Sequence, residues 1–216
     1  MTDLILAKDL FLHVTPAGAY SAISSVEKSS SRSLLRNLLM QQQSPELNVA
    51  TLMTLSDVDS EEKALEQLKH LQALAWVEGL QEPQLVNKSP LEDVLPELLT
   101  KLSSTRKALL ADEQGFYLAS SGFPHEVAEE LSGLSAELAS LHARRSGVLV
   151  NNLGLNSSAW SLVDAAGHSK IGFWPLFVGK QRFVLVMEGV PNLNRKEFVE
   201  LVWLLSRRYA GDSAAP

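Results

Sequence analysis

The sequence contains no cysteine among its 216 residues. This absence excludes disulfide bonds, thiolate catalysis, iron–sulfur clusters and cysteine-ligated zinc. No apolar run approaches the roughly 18 residues that would span a bilayer. The first residues, Met1-Thr2-Asp3, lack the basic region that opens a secretory signal. A cytoplasmic location is therefore expected.

The chain also lacks an excess of positive charge. It carries 19 basic and 25 acidic side chains, which give a formal net charge of −6. Nucleic-acid binding requires clustered Lys and Arg to neutralise phosphates, and neither half of the chain is basic, so general nucleic-acid binding is not expected. Because 45% of the residues are hydrophobic, the chain is expected to form one large or two small globular domains.

Residue patterns of common active sites are missing as well. The sequence has no GxxxxGK[ST] phosphate-binding loop, no Gly-x-Ser-x-Gly nucleophile motif and no HExxH zinc motif. Its five histidines are dispersed. The adjacent carboxylates Glu61-Glu62 and Glu129-Glu130 point apart on a helix and do not form acid–base pairs. We therefore expect a non-enzymatic protein that holds no metal and no other cofactor.

Residues 1–88 are predicted to begin with a β-hairpin over Asp3 to Ser25. Strand-forming side chains lie on both sides of Thr15-Pro16-Ala17-Gly18, a segment with the composition of a tight turn. Three short helices are expected to follow, because leucine-rich segments with helical spacing come after residues that commonly cap helices. Their starts are expected at Ser29 to Ser31, at Asn48, and between Asp57 and Ser60.

The third of these helices runs into Ala75-Trp76-Val77-Glu78-Gly79-Leu80, which is predicted to be a short strand. This succession resembles the third helix and the first wing strand of a winged helix. A helix that reads the DNA major groove carries Arg, Asn, Gln or Ser near its start, whereas this helix starts with Glu61 and Glu62. Protein contact is therefore the favoured use of the winged-helix-like domain.

A linker over Glu82 to Pro90 is predicted to separate this domain from a second one, 89–216, because proline, asparagine and serine interrupt regular structure there. The second domain shows helix and strand signals in the order α-β-β-α-β-β-β-α. The expected helices are Leu91 to Leu102, His125 to Arg145 and one capped by Asn194; the expected strands are Arg106 to Ala111, Phe116 to Ser120, Ala159 to Val163, Ile171 to Val178 and Phe183 to Met187.

The long helix carries two stripes of different character. Its larger apolar residues share a narrow arc and are predicted to face the core. The opposite arc carries small residues, which permit close approach of another backbone. We interpret it as a dimer or partner-helix seam, with an exposed face of good helix formers as the alternative. The predicted core stripe is Val127, Leu131, Leu134, Leu138 and Leu141; the predicted seam is Ser132, Gly133, Ala136, Ser140 and Ala143.

Residues 91–210 resemble the roadblock / dynein light-chain family, which includes the bacterial MglB-type regulators. The resemblance rests on the helix and hairpin of LLTKLSSTRKALLADEQGFYLASSG, on the small-residue helix after it, and on three strands that precede a terminal amphipathic helix. It implies an α+β fold in which a five-stranded antiparallel sheet lies within an α/β/α sandwich. It also implies homodimers joined through the long helix and an edge strand.

The edge strand of this resemblance corresponds to Ala159 to Val163. An unpaired strand edge invites pairing with another chain, so Trp160 and Leu162 are added to the predicted dimer or partner interface. Trp160 is either a core residue or an interface anchor.

Known members of the family act as scaffolds or regulators of small Ras-like GTPases, or as adaptors in motor and signalling complexes. The resemblance thus implies a non-enzymatic regulator or scaffold in bacterial signalling that forms a homodimer and binds a small GTPase or a related signalling protein. Two other classes stay open. One is a transcription regulator with a C-terminal dimerisation module, and the other is a small-molecule sensor with a pocket lined by Phe173, Trp174 or Phe177.

Overall fold

A computed structural model describes residues 6–155 and 157–211 of the chain. Contacts divide the chain into two compact units. The first combines the chain up to Lys88 with the segment from Phe198 onward, and the second is Ser89–Glu197. This division falls within the predicted linker but groups the last helix with the N-terminal half. The assignment of 1–88 and 89–216 as domains stays a prediction.

The described residues form both helices and strands. Two π-helical turns, Gly147–Asn152 and Ser206–Ala210, extend the last two helices at their C-terminal ends. The other elements, in chain order, are β1 (Phe11–Val14), α1 (Pro16–Ile23), α2 (Ser30–Leu39), α3 (Val49–Ser56), α4 (Glu61–Ala73), β2 (Val77–Leu80), α5 (Leu91–Leu102), β3 (Ala108–Ala111), β4 (Tyr117–Ser121), α6 (His125–Ser146), β5 (Trp160–Val163), β6 (Ser169–Val178), β7 (Gln181–Glu188) and α7 (Lys196–Leu205).

The predicted hairpin over Asp3 to Ser25 is wrong in its second arm, and its first residues lie outside the described part of the chain. Thr15 caps α1, since its hydroxyl oxygen accepts a hydrogen bond from the Gly18 amide at 3.2 Å. Pro16 fits the first helical position because the amide it lacks would have no partner there. The partner of β1 is β2, which pairs with it in antiparallel register.

The three predicted helices α2, α3 and α4 are present, each with a capped first turn. The capping side chains accept hydrogen bonds from backbone amides three residues further on, which satisfies donors that the helix itself leaves free. These caps are Ser29, Asn48 and Ser60. The winged-helix interpretation of this arrangement stays a prediction.

Helix α7 completes the first unit. Seven of its side chains, from Phe198 to Leu205, are buried, so little of the helix is left for solvent. The indole nitrogen of Trp203 donates a hydrogen bond to the Gln41 carbonyl at 2.8 Å. Just beyond the helix, the Arg207 guanidinium donates to the Met40 carbonyl at 2.5 Å. These bonds attach α7 and the π-helical turn after it to the carbonyls that follow α2.

The second unit is built on a five-stranded antiparallel sheet with the strand order β4-β3-β7-β6-β5, which confirms the predicted α+β fold. Helices α5 and α6 cover opposite faces of it. Leu109 of β3 packs in one cluster with Ala128 of α6. The neighbouring residue of β3, Ala108, points to the other face, where its register partner Ser121 forms a hydrogen bond of 2.6 Å with Thr100 of α5.

Candidate interaction surface

Helix α6 is 22 residues long and starts after Pro124. Small side chains make up most of its buried face, and two of them are serines whose hydroxyls are satisfied within the helix. Ser132 donates to the Ala128 carbonyl and Ser135 donates to the Ser132 carbonyl, each at 2.7 Å. The sheet supplies the bulk opposite this face, including Phe173 and Val186. The buried residues of α6 are Ala128, Leu131, Ser132, Ser135 and Ala139.

The predicted core stripe of α6 is therefore largely wrong. Leu131 is buried and Leu138 is partly buried against the core, but Val127, Leu134 and Leu141 are exposed by 37%, 37% and 36%. With a rotation of about 100° per residue, the buried face lies between the two predicted stripes and takes one residue from the edge of each. Small residues on this face let the helix approach the large side chains of the sheet, which determines the rotation of the helix.

One flank of α6 contacts the turn between β3 and β4. A β-carbon on Gly115 would lie 3.3 Å from the Cα of Gly133, 3.4 Å from the Ser132 carbonyl oxygen and 3.5 Å from the Cβ of Ala136. The turn is fixed by Asp112, whose carboxylate accepts hydrogen bonds from two backbone amides at 2.9 Å. The small residues on this flank therefore admit a backbone, as the sequence predicts, but the backbone belongs to the same chain.

The other flank of α6 faces the opposite edge of the sheet. The indole nitrogen of Trp160 in β5 donates to Nδ1 of His142 at 3.1 Å, and the two rings meet edge to face. Since β4 and β5 are the two outer strands of the sheet, the flank opposite Gly115 lies on the β5 side. The exposed residues Val127, Leu134 and Leu141 are on this flank.

Strand β5 leaves one edge unpaired within the described residues. It pairs with β6 alone, and its register shifts after Leu162. Leu162 and Val163 are exposed by 55% and 59%. Beside them, a hydrogen bond from Lys170 is the main cause that lowers the pKa of the Asp164 carboxyl, which also accepts bonds from the amides of the turn. The charged turn thus adjoins an apolar strand edge.

The predicted interface residues fall into separate places. Ser132 is buried inside the unit, while Gly133 and Ala136 are half-buried beside the Gly115 turn. Ser140 and Ala143 are exposed on α6. Trp160 is half-buried, packs against the core of the unit and donates a hydrogen bond to His142. Leu162 is exposed on the edge strand. The assignment of these residues to an interface stays a prediction.

Sequence reasoning missed the exposed apolar flank, although a signal for it exists. Val127, Leu134 and Leu141 recur at seven-residue intervals and Leu131 and Leu138 lie between them, which is the spacing of a coiled-coil seam. An intramolecular core stripe has almost the same spacing. The two are distinguished only when the sheet beneath the helix is known. We name Val127, Leu134 and Leu141 the apolar flank.

A group of polar side chains lies at the exposed start of the same helix. The Tyr117 hydroxyl lies 2.7 Å from Nδ1 of His125, and Nε2 of His125 lies 3.4 Å from the Glu129 carboxylate. Among the described residues, no three His, Asp or Glu side chains are grouped so as to hold a metal ion. No helix in the described ranges combines the length and hydrophobicity needed to cross a bilayer.

Comparison of the chain with family models and with curated proteins finds no match. Solved structures do match in part. A Roadblock/LC7 domain from Streptomyces avermitilis is 13% identical over 58% of this chain and 98% of its own, with a TM-score of 0.36. Myxococcus xanthus MglB is 16% identical over 56% of this chain and 94% of its own, with a TM-score of 0.36.

The gliding protein MglB from Thermus thermophilus is 23% identical over 61% of this chain and 98% of its own, again with a TM-score of 0.36. Part of the chain is thus similar in structure to all three proteins. The three matches cover 56–61% of this chain.

Proposed function

We propose that the protein is a non-enzymatic regulator or scaffold that forms a homodimer through α6 and the β5 edge, and that the dimer binds a small Ras-like GTPase or a related signalling protein. The observation that carries the homodimer is the exposed apolar flank of α6. Its three aliphatic side chains lie in one line and are each more than a third exposed, which leaves apolar surface that a partner can cover. A stripe of Val and Leu at seven-residue intervals is suited to packing against a second helix.

A second copy of the chain fits this surface better than an unrelated helix does. The apolar flank and the unpaired edge of β5 lie on the same side of the unit, and a two-fold axis would bring both into one isologous interface. In that arrangement the flank packs on its own counterpart while Leu162 and Val163 lose their solvent exposure. Pairing two β5 edges would also satisfy backbone groups that an edge strand leaves free.

The GTPase part of the proposal comes from the family that residues 91–210 resemble, whose known members regulate or scaffold such proteins. A dimer that bound one nucleotide state more tightly than the other would shift the population of that GTPase.

Light scattering of the full chain tests the homodimer. The expected mass is twice the 23.6 kDa of one chain. A Leu134→Glu, Leu141→Glu variant is expected to be monomeric and to keep its helical circular dichroism, because both side chains are exposed. Val26→Glu, Leu85→Glu is the matched control. These two residues are exposed by 68% and 63% in the first unit, and the control is expected to remain dimeric.

A monomeric wild-type chain would overturn the homodimer. A dimer that survives Leu134→Glu, Leu141→Glu would place the interface elsewhere. Charged substitutions at Gly133 or Ala136 are less informative, since both residues adjoin the Gly115 turn of the same chain. The partner class is tested by retaining small Ras-like GTPases on the immobilised chain. Retention is expected to differ between GTPases loaded with GDP and those loaded with a non-hydrolysable GTP analogue. No retention in either nucleotide state would contradict the proposed partner class.

A further inference from the structure

The segment that follows α6 is an exposed apolar arm. From Ser140 to Leu155 no side chain is buried, and the π-helical turn Gly147–Asn152 also has no buried residue. Four aliphatic side chains in this segment are exposed by 40–61%, although burying each of them would be favourable in free energy. They are Val148, Val150, Leu153 and Leu155. We name Arg144 to Leu155 the apolar arm.

The apolar arm differs in charge from the rest of the chain. The sequence contains no Asp or Glu from Leu138 to Val163, and its charged residues there are Arg144 and Arg145, both exposed. The chain as a whole carries a net charge of −6. The arm is thus a basic and apolar segment on an otherwise acidic protein. Segments that lie in a membrane interface combine aliphatic side chains with basic ones, and Lys or Arg near the surface is attracted to anionic lipid.

We propose that the apolar arm binds reversibly to the surface of an anionic lipid bilayer. The aliphatic side chains would enter the boundary between headgroups and acyl chains, and Arg144 and Arg145 would lie among the anionic headgroups. Apolar burial and electrostatic attraction add together in such binding. This inference is independent of the proposed function, because it uses neither the apolar flank nor a GTPase.

The composition of the arm favours lipid over a protein partner. Residues that dominate the binding energy of protein interfaces are enriched in Trp, Tyr and Arg, whereas Leu and Val are under-represented. Of the enriched residues, the arm has only its two arginines, which anionic headgroups also attract, and Val150, Leu153 and Leu155 are spread along a segment whose last residues lie outside any regular element. A fluid apolar phase accepts such side chains without a shaped pocket, which a folded partner would have to provide.

Co-sedimentation of the full chain with lipid vesicles tests the proposal. We expect binding to vesicles of phosphatidylcholine mixed with phosphatidylglycerol and little binding to phosphatidylcholine alone. Binding is expected to weaken as salt rises from about 0.1 M to about 1 M, because the Debye length falls from about 10 Å to about 3 Å. Leu153→Ser, Leu155→Ser and, separately, Arg144→Glu, Arg145→Glu are expected to reduce binding to the level seen with neutral vesicles.

Val26→Ser, Leu85→Ser is the matched control, since these two aliphatic residues are exposed by 68% and 63% and lie outside both the arm and the proposed dimer surface. The control is expected to bind vesicles like the wild type. Absence of binding to anionic vesicles at low salt would overturn the proposal, and so would unchanged binding by Leu153→Ser, Leu155→Ser. Equal binding to neutral vesicles would overturn the role of the arginines.

Light scattering of the same variants distinguishes lipid from a second copy of the chain. If Leu153→Ser, Leu155→Ser becomes monomeric while the wild type is dimeric, the arm is covered by self-association and the lipid proposal is overturned. If the arm variant keeps the wild-type mass but loses vesicle binding, the proposal is supported whatever the oligomeric state.

Discussion

Gly115 in the turn between β3 and β4 rests against Gly133 in the middle of α6. A β-carbon on Gly115 would stand 3.3 Å from the Cα of Gly133, whereas a β-carbon on Gly133 would meet nothing within 4 Å. The two glycines are therefore required to different degrees. Gly115 also has a φ of +92°, which residues with a side chain rarely adopt.

Gly115→Ala is expected to lower the free energy of unfolding by about 1–3 kcal/mol, because it adds strain at a positive φ and crowds the α6 backbone. Gly133→Ala is expected to raise it by up to about 1 kcal/mol, since alanine is the better helix former and the space is open. Denaturant titrations of the two variants check both signs. A neutral Gly115→Ala would contradict the close contact.

Gly133→Ala also distinguishes the two flanks of α6 as dimer surfaces. If the apolar flank forms the seam, the variant should dimerise like the wild type while gaining stability. A dimer weakened by this single methyl group would instead support the small-residue seam that the sequence predicts. Sedimentation velocity over a dilution series provides the measurement.

The hydrogen bond between Trp160 and His142 is expected to hold the edge strand to α6. His142→Ala removes the acceptor and the ring contact, so we expect a loss of about 1 kcal/mol and faster amide hydrogen exchange in β5. His125→Ala is the control, because His125 contacts Tyr117 at the start of the helix. Unchanged exchange in β5 would show that β6 alone holds the strand.

Trp203 is expected to be a principal anchor of α7. Trp203→Ala should cost about 3–5 kcal/mol, the range for large aromatic side chains removed from a core. Trp203→Phe should cost less, because most of the packing remains. Its remaining cost includes the lost hydrogen bond to the Gln41 carbonyl. Thermal unfolding followed at residues of the first unit tests the ranking, and equal losses in the two variants would show that the hydrogen bond dominates.

His13 makes the stability of the first unit depend on pH. Its ring lies beside Trp203, with centroids 5.5 Å apart, and Nδ1 is 3.1 Å from the Ser44 hydroxyl. Burial lowers the pKa of His13 below its ordinary value of 6.5. The unfolded chain therefore takes up a proton at a higher pH than the folded chain does, and stability falls as the pH drops below 6.5.

The prediction is an acid-side decline in unfolding free energy that a His13→Phe, Ser44→Ala variant lacks. Phenylalanine keeps a ring against Trp203, and removal of the Ser44 hydroxyl avoids an unsatisfied donor. Chemical unfolding at several values between about pH 7.5 and about pH 5 gives the two slopes. Parallel curves for the variant and the wild type would mean that other groups account for the decline.

The sequence alone predicted the second unit better than the first. The order of its elements along the chain could be expected because alternating side chains and glycine-marked turns are local signals. The five-stranded antiparallel sheet that the family resemblance implies is confirmed, but the pairing of β3 with β7 joins distant segments and is not a local signal. Thr15 and Pro16 show where local signals are ambiguous. The same dipeptide suits a tight turn and the start of a helix, and only the pairing of β1 with β2 decides between them.

The rotation of α6 could not be predicted from its own residues. Its apolar stripe and its small-residue stripe are both visible in the sequence, but the face that packs depends on distant residues: the large side chains of the sheet on one side and the Gly115 turn on the other. The sequence-based interpretation therefore places Leu134 and Leu141 in the core, although both are exposed. Which face of α6 is buried depends on the shape of the sheet as well as on the helix, and the helix sequence describes only one of these two surfaces.

The grouping of α7 with the N-terminal half affects the order in which the two units can fold during synthesis. Translation delivers β1 to β2 first and the whole sheet of the second unit next, and α7 comes after both. The carbonyls of Met40 and Gln41 therefore stay without their donors, Arg207 and Trp203, until more than 160 further residues have been synthesised. Domains commonly fold as units during synthesis, whereas the N-terminal unit can complete its core only after α7 has been synthesised and released from the ribosome.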